Sequence, residues 1–196
     1  WPTLFYMDPH QARPTACLWI RLDPNDAGWV VAEQEIEGDA ATVKAVCEAF
    51  EREHGLHPVV RKGDPKITAQ TNQFAREFQG QPFNIRRAFE EVGFYFEDAN
   101  TNFAVGIERL ERLLRPNPLT RAPGLRIWRG CTKTVWQIGR FTWDRDKPGR
   151  KHSDFPAALR YYAIDDLSYR GLALARAGTP VAVAARREGR NSRTGW

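Results

Sequence analysis

The stretch LFYMDP, residues 4–9, decides the fold. Its four consecutive apolar residues predict a strand that is buried on both faces and therefore lies in the middle of a sheet. Pro9 ends this strand because proline has no backbone N–H to donate to a neighbouring strand. Asp8 is thus placed at the end of a central strand, where a buried carboxylate is costly unless a cation, a metal ion or nearby backbone donors compensate it.

The segments that follow predict a mixed sheet. Residues 15–22 and 29–36 are rich in strand-forming residues and are joined by short turns, so with the first strand they predict an antiparallel meander. Apolar residues at helical spacing then indicate a helix between Asp39 and Gly55, and residues 57–63 are typical of a further strand. A strand–helix–strand order predicts a crossover to a parallel strand. We therefore expect an α/β domain whose meander is continued by parallel strands, with helices on both faces.

The rest of the chain is predicted to be mainly helical. The predicted helices cover 71–78, 84–92, 102–114, 132–141 and 154–164, and one further strand covers 125–128. From Gly171 onward the sequence carries an excess of arginine and is expected to form a flexible or loosely docked basic tail. We therefore expect a folded domain over residues 1–170 and a tail over residues 171–196.

The composition is typical of a soluble globular domain. Of the 196 residues, 42% are hydrophobic and 27% are charged, and no apolar run is long enough to span a membrane. The three cysteines are widely spaced and form no CxxC pattern, so neither a disulfide framework nor a zinc site is supported and a cytoplasmic setting fits best. The net charge of +5 favours phosphate-bearing partners, although a solvated tail has the same signature.

Three aspartates stand out by their positions. Asp8 ends the first strand, Asp64 ends the crossover strand and Asp154 begins a late helix. If these elements pack together, the carboxylates need a counter-ion, and Mg²⁺ or Mn²⁺ prefers such oxygen ligands. Two such ions about 4 Å apart activate a water and stabilise the leaving oxygen in phosphodiester cleavage. Aspartates before prolines and at helix starts also have ordinary turn and capping roles, so spacing alone leaves both interpretations open.

Four short motifs follow one another in a fixed order. They are residues 5–9, residues 63–65, residues 127–131 leading into 141–144, and residues 152–154 before 158–161. In order and spacing they resemble the nuclease domain of tailed-phage large terminases, over about residues 4–162. The resemblance implies a ribonuclease-H-like fold and a metal-dependent endonuclease that cuts concatemeric viral DNA during packaging. It also implies that Asp8, Asp64 and Asp154 are the catalytic acids and hold two Mg²⁺ or Mn²⁺ ions.

The resemblance also implies partners. These are double-stranded DNA, an N-terminal ATPase motor in the full-length protein, the small terminase subunit and the portal. The resemblance also implies that the protein acts in the host cytoplasm and does not associate with a membrane. The sequence has no GxxxxGK[ST] phosphate loop, so we expect it to be an excised C-terminal nuclease domain.

One position departs from the family pattern. Where the last motif often carries another acid, this chain has Ala157, which leaves Asp154 as the only carboxylate between residues 147 and 164. His152 could assist as a ligand or a proton carrier. Asp165 and Asp166 are interpreted as a solvated helix end.

Several cations near the aspartates are predicted to contact DNA phosphates independently of sequence, although a solvated loop is the simpler alternative. They are Arg145, Lys147, Arg150 and Lys151 before Asp154, and Arg61, Lys62 and Lys66 around Asp64. Trp19, Trp29, Trp128 and Trp136 are predicted to lie in the core. Two functional alternatives stay open: a junction-resolvase-like or transposase-like enzyme on the same fold, and a non-catalytic nucleic-acid-binding or assembly domain.

Overall fold

The structure is a computed structural model. It describes residues 1–10, 13–65, 85–141, 143–144, 147–148 and 154–176, without the side chains of 143–144, 147–148 and 173–176.

A six-stranded mixed sheet forms the centre of the molecule. Its strands are β1 (Thr3–Asp8), β2 (Thr15–Leu22), β3 (Gly28–Ile36), β4 (Pro58–Gly63), β5 (Glu97–Asp98) and β6 (Leu125–Ile127). The strand order is β5-β4-β1-β2-β3-β6. Strands β1, β2 and β3 form the antiparallel meander, and β4, β5 and β6 each join the sheet in parallel. The mixed sheet predicted from the sequence is confirmed, and all six residues of β1 are buried at its centre.

Six helices accompany the sheet in the described part of the chain. They are α1 (Ala40–His54), α2 (Ile85–Glu91), α3 (Phe103–Leu114), α4 (Thr132–Arg140), α5 (Asp154–Asp165) and α6 (Tyr169–Arg176). A short hairpin is formed by β7 (Trp143–Asp144) and β8 (Lys147–Pro148).

As expected, Asp39 caps α1 by accepting the Thr42 N–H, and Gly55 ends it in a left-handed conformation at φ 58°. None of the described helices is long and apolar enough to cross a membrane.

The sheet separates two apolar cores because side chains alternate along each strand. Leu4 and Tyr6 lie in the core that also contains α5, whereas Phe5 and Met7 lie in the core that contains α1 and α2. All three cysteines are buried and free. Cys17 and Cys47 share the α1 core with their sulfur atoms 3.9 Å apart, and Cys131 lies in the α5 core. Helices therefore cover both faces of the sheet.

Parts of the structure differ from the sequence-based expectation. Strand β5 was not predicted, because two residues are too short for a periodic pattern. Helix α6 runs across the boundary expected at 170/171, and Leu172 is buried in the core. The prediction that Trp128 and Trp136 are core residues is wrong: they are 57% and 42% exposed, whereas Trp19 is fully buried. The predicted helix over 71–78 and the tail beyond 176 lie outside the described residues.

Candidate metal centre

Asp8 is a buried carboxylate at the carboxyl end of the central strand. It is 5% exposed, and its Oδ1 atom accepts no hydrogen bond from any described residue. Burial raises the pKa of Asp8, and the charges of Asp64 and Asp154 raise it further, while a hydrogen bond from His10 opposes both effects. A cation beside Asp8 would offset the cost of burying its charge.

His10 lies between two of the predicted acids. Its Nε2 atom is 3.3 Å from Oδ2 of Asp8 and 3.1 Å from Oδ1 of Asp154. Burial lowers the pKa of His10, but the hydrogen bonds to Asp154 and Asp8 outweigh it and raise the pKa to about 9. Arg13 also reaches Asp154, with Nη1 3.3 Å from Oδ1. In the protein alone, therefore, the basic side chains beside Asp8 and Asp154 are those of His10 and Arg13.

Asp8, His10 and Asp154 form a compact group of possible metal ligands. One ligand atom from each residue lies within 4.8 Å of the others. Sequence reasoning placed His10 in a turn and did not select it. The feature of the sequence that could have identified His10 is its position two residues after Asp8, where Pro9 ends the strand and the chain turns.

Asp64 lies at the same edge of the sheet. The parallel register pairs Met7 with Gly63, so Asp8 and Asp64 are the next residues on neighbouring strands. The hydroxyl of Tyr161, on α5, donates to Oδ2 of Asp64 at 3.0 Å. The Asp64 carboxylate lies outside the 4.8 Å group, although its charge contributes to the raised pKa of Asp8. The structure thus brings the three predicted aspartates to one edge, with Asp64 beside the tighter group.

Arg160 brings a positive charge to the same side of the sheet. Its guanidinium lies 4.4 Å from the ring centre of Phe103, and the residue is 8% exposed. Burial lowers the pKa of Arg160, while the neighbouring Tyr161 and the charges of Asp8 and Asp64 oppose that shift. This guanidinium therefore partly balances the negative charge of the carboxylates.

Helix α5 is held at both ends, which fixes the position of Asp154. At its start, the N–H of Phe155 donates to Oε1 of Gln137 at 3.0 Å, so a buried amide satisfies one of the helix's unpaired donors. At its end, the hydroxyl of Tyr6 donates to Oδ2 of Asp165 at 2.6 Å, and Nζ of Lys62 lies 3.0 Å from Oδ1. The prediction that Asp165 is solvated is wrong: its side chain is 6% exposed and anchors α5 to β1 and β4.

The remaining predicted site residues fall into two groups. Arg61 lies on the α1 side of the sheet, where it forms an ion pair with Glu51 at 2.6 Å and packs on Phe5, while Lys62 pairs with Asp165. Outside the described residues lie Lys66, Arg145, Arg150, Lys151, His152 and the side chain of Lys147. Ala157, in place of the family's additional acid, is buried in the apolar core.

The strand order and helix arrangement define the ribonuclease-H-like fold of terminase nuclease domains. The nuclease domain of the P22 large terminase is similar, with a TM-score of 0.59 and 14% identity over 83% of this chain and 80% of that one. The large terminase from a thermophilic bacteriophage gives TM-scores of 0.56 and 0.57 in two crystal forms, also at 14% identity. The match covers 82% and 83% of this chain but only 38% and 39% of that terminase. No protein-family model and no curated protein matches the chain. The resemblance inferred from the motifs is thus confirmed for the fold.

Proposed function

We propose that this chain is a divalent-metal-dependent DNA endonuclease domain of the large-terminase type. The observation that carries the proposal is the convergence of Asp8, His10 and Asp154 at the end of the central strand, with one carboxylate oxygen buried and unpartnered among the described residues. The likeness to terminase nuclease domains supports the class of reaction.

The residues present fit a divalent cation. Asp8 and Asp154 offer hard oxygen ligands, which suit Mg²⁺ and Mn²⁺, and the charge of Asp64 acts on Asp8 from the neighbouring strand. His10 adds a nitrogen donor, which transition metals accept more readily than Mg²⁺ does. We therefore propose that the site takes two ions and prefers Mn²⁺. Bound ions of this kind supply Lewis-acid activation of a water and charge stabilisation at the phosphate during hydrolysis.

The chain's own residues then have separate tasks. Asp8 and Asp154 bind the cations, and Asp64 completes the negative charge of the site. Tyr161 orients Asp64 through its hydroxyl, in the way that outer hydrogen-bond partners orient metal ligands. His10, which lies between Asp8 and Asp154 in the free protein, would have to offer a deprotonated ring nitrogen to ligate a cation. The buried guanidinium of Arg160 adds positive charge that acts on Asp8 and Asp64.

The biological setting is part of the same proposal. We propose that the substrate is double-stranded viral DNA, that cleavage occurs during genome packaging in the host cytoplasm, and that an ATPase motor, a small terminase subunit and a portal act with this domain. The support is the likeness to the large terminase of the thermophilic bacteriophage, of which this chain matches 38%.

A second candidate function is a DNA-binding domain without catalysis. It is favoured by the two protein cations that already neutralise Asp154: His10 at 3.1 Å and Arg13 at 3.3 Å. If these contacts are stronger than the attraction for a metal ion, the fold binds DNA but does not cut it.

Cleavage of supercoiled plasmid in Mn²⁺, Mg²⁺, Ca²⁺ or EDTA separates the two candidates. The wild type is expected to nick and linearise plasmid in Mn²⁺ or Mg²⁺ only, and Asp8→Asn, Asp64→Asn and Asp154→Asn should each lower the rate by about 100-fold or more. Asp39→Asn is the matched control, because asparagine also caps a helix and Asp39 is a capping residue of α1.

Calorimetric titration with Mn²⁺ supplies a readout that does not depend on cleavage. The wild type should bind the ion, and Asp8→Asn should not. DNA binding without cleavage or Mn²⁺ binding would favour the second candidate, and cleavage unchanged in all three variants would remove the aspartates from the mechanism.

A further inference from the structure

Arg13 is an exposed cation in direct contact with the candidate metal centre. Its Nη1 atom lies 3.3 Å from Oδ1 of Asp154, and its Nη2 atom lies 3.0 Å from Nε2 of His10. The Arg13 side chain is 49% exposed, whereas those of His10 and Asp154 are 15% and 18% exposed. Of these three side chains, Arg13 is therefore the most accessible to a ligand that arrives from solvent.

The sheet places Arg13 beside the end of the central strand. Strand β2 begins at Thr15, two residues after Arg13, and Thr15 is 3% exposed. The antiparallel register pairs Ala16 with Asp8, so the start of β2 lies beside the buried carboxylate. Arginine has a long side chain with many rotamers. The guanidinium of Arg13 can therefore change partners while the backbone stays in place.

Arg13 and a metal ion compete for Asp154. A divalent cation bound to this residue would lie about 2 Å from a carboxylate oxygen. If the guanidinium stayed at 3.3 Å from Oδ1, two positive charges would share one carboxylate. Like charges at such a short separation repel each other. Metal binding at Asp154 is therefore weakened as long as Arg13 keeps this contact.

A DNA phosphate offers the guanidinium another partner. In the proposed nuclease, the ions held by Asp8 and Asp154 act on the phosphate that is cleaved, so this phosphate must come close to Asp154. Because the guanidinium of Arg13 already lies at Asp154, the same phosphate is within its reach. A guanidinium can donate two parallel hydrogen bonds to a phosphate, which makes arginine a preferred phosphate-binding residue.

We infer that Arg13 exchanges Asp154 for a DNA phosphate, and that this exchange couples substrate binding to metal binding. The inference rests on the proposed nuclease function and adds a regulatory contact to the same site. Without DNA, Arg13 holds Asp154 and weakens metal binding. With DNA, Arg13 turns to the phosphate and leaves the carboxylate to the ion. Because coupling between two binding steps is reciprocal, a bound ion also releases Arg13 for the phosphate.

Two affinities, each measured without cleavage, test the inference. Calorimetric titration with Mn²⁺ in the absence of DNA should show about 5-fold tighter binding to Arg13→Ala than to the wild type, because the competing guanidinium is gone. Fluorescence anisotropy with a labelled duplex in EDTA should show about 3- to 10-fold weaker binding to the same variant. The slope of log affinity against log salt should fall by about 1, the value of one phosphate contact. A purely structural role of Arg13 would not move the two affinities in opposite directions.

Two further variants serve as controls. Arg13→Lys keeps the positive charge, so its salt slope should match that of the wild type. Arg115→Ala removes another exposed arginine that is paired with a carboxylate: Arg115 is 78% exposed and lies 3.2 Å from Glu111. Arg115 lines a cleft beside the turn after β2, at the end of the sheet opposite Asp8, so both affinities should stay within about 2-fold of the wild type. Circular dichroism of each variant confirms that the fold is intact before affinities are compared.

The inference and the nuclease proposal fail in different ways. The inference is overturned if Arg13→Ala binds Mn²⁺ no more tightly than the wild type, or if it binds the duplex equally well. Equal changes in Arg115→Ala would also overturn it. A wild type that cleaves plasmid, together with unchanged affinities in Arg13→Ala, removes the inference alone. The nuclease proposal fails if the wild type cleaves no plasmid and neither protein binds Mn²⁺.

Discussion

Replacing Asp165 by asparagine tests whether a buried ion pair holds α5 in place. The change keeps the shape of the side chain and an oxygen that accepts the Tyr6 hydroxyl, but it removes the charge that balances Lys62. Removing one partner of a fully buried ion pair costs about 3–5 kcal/mol, because the other charge stays buried and unpaired. The Lys62 side chain is 17% exposed, and Glu97 lies 4.0 Å from its ammonium, so part of this cost is recovered. We therefore expect the free energy of unfolding to fall by about 2–3 kcal/mol.

Urea denaturation followed by circular dichroism measures this loss. With a slope of about 2 kcal/mol per molar urea, the unfolding midpoint should fall by about 1 M or slightly more. Tyr6→Phe, which removes only the hydroxyl donor, should cost about 1 kcal/mol, and the double variant should deviate from additivity because the residues share a partner. Asp98→Asn is the matched control: its carboxylate is 61% exposed and pairs with Arg86 at the surface, so its loss should cost less than about 1 kcal/mol. If Asp165→Asn is no more harmful than Asp98→Asn, the buried pair does not hold α5.

Three further predictions concern single contacts. Tyr161→Phe removes the hydroxyl that orients Asp64, so plasmid nicking in Mn²⁺ should slow by about 10- to 100-fold with an unchanged circular dichroism spectrum; an unchanged rate would exclude Tyr161 as a positioning residue. Glu51→Gln leaves Arg61 without its counter-charge in the α1 core and should lower stability by about 2–4 kcal/mol in urea denaturation, whereas a loss below about 0.5 kcal/mol would contradict a structural role for the pair. Burial opposes ionisation of Asp23, but hydrogen bonds from Trp29 and two backbone amides hold its pKa below the ordinary value. The contribution of Asp23 to folding stability is therefore complete above about pH 4 and is lost as the pH falls through the folded pKa. The acid-induced fall in melting temperature should be smaller in Asp23→Asn than in the wild type.

The sequence was sufficient to predict the sheet because a continuous apolar run marks its central strand. A run of four apolar residues before Asp8 predicted a central strand, and β1 has strands on both sides. The crossover through α1 predicted that β4 is parallel, which brings Asp64 beside Asp8. These features depend on burial and chain connectivity, and both can be inferred from local patterns.

The sequence was insufficient where a polar residue is buried by a long-range partner. Thr134 and Gln137 point inward because Glu33 and Phe155 satisfy them, whereas Trp136 of the same helix is 42% exposed. Asp165 is buried for the same reason, through Tyr6 and Lys62. No periodicity identifies such partners, since each contact joins residues far apart in the chain. His10 was missed because its role depends on Asp154, which is 144 residues away.

Because the three cysteines are divided between the two faces of the sheet, the opening of each face can be measured separately. Cys17 and Cys47 are shielded by α1, whereas Cys131 is shielded on the side of α5. A thiol reagent can reach the first two only when the α1 layer opens, and the third only when the opposite layer does. Timed alkylation followed by mass spectrometry would thus assign an opening rate to each layer in unmodified protein. Any cysteine introduced at the surface for a fluorescent label would, by contrast, react at once.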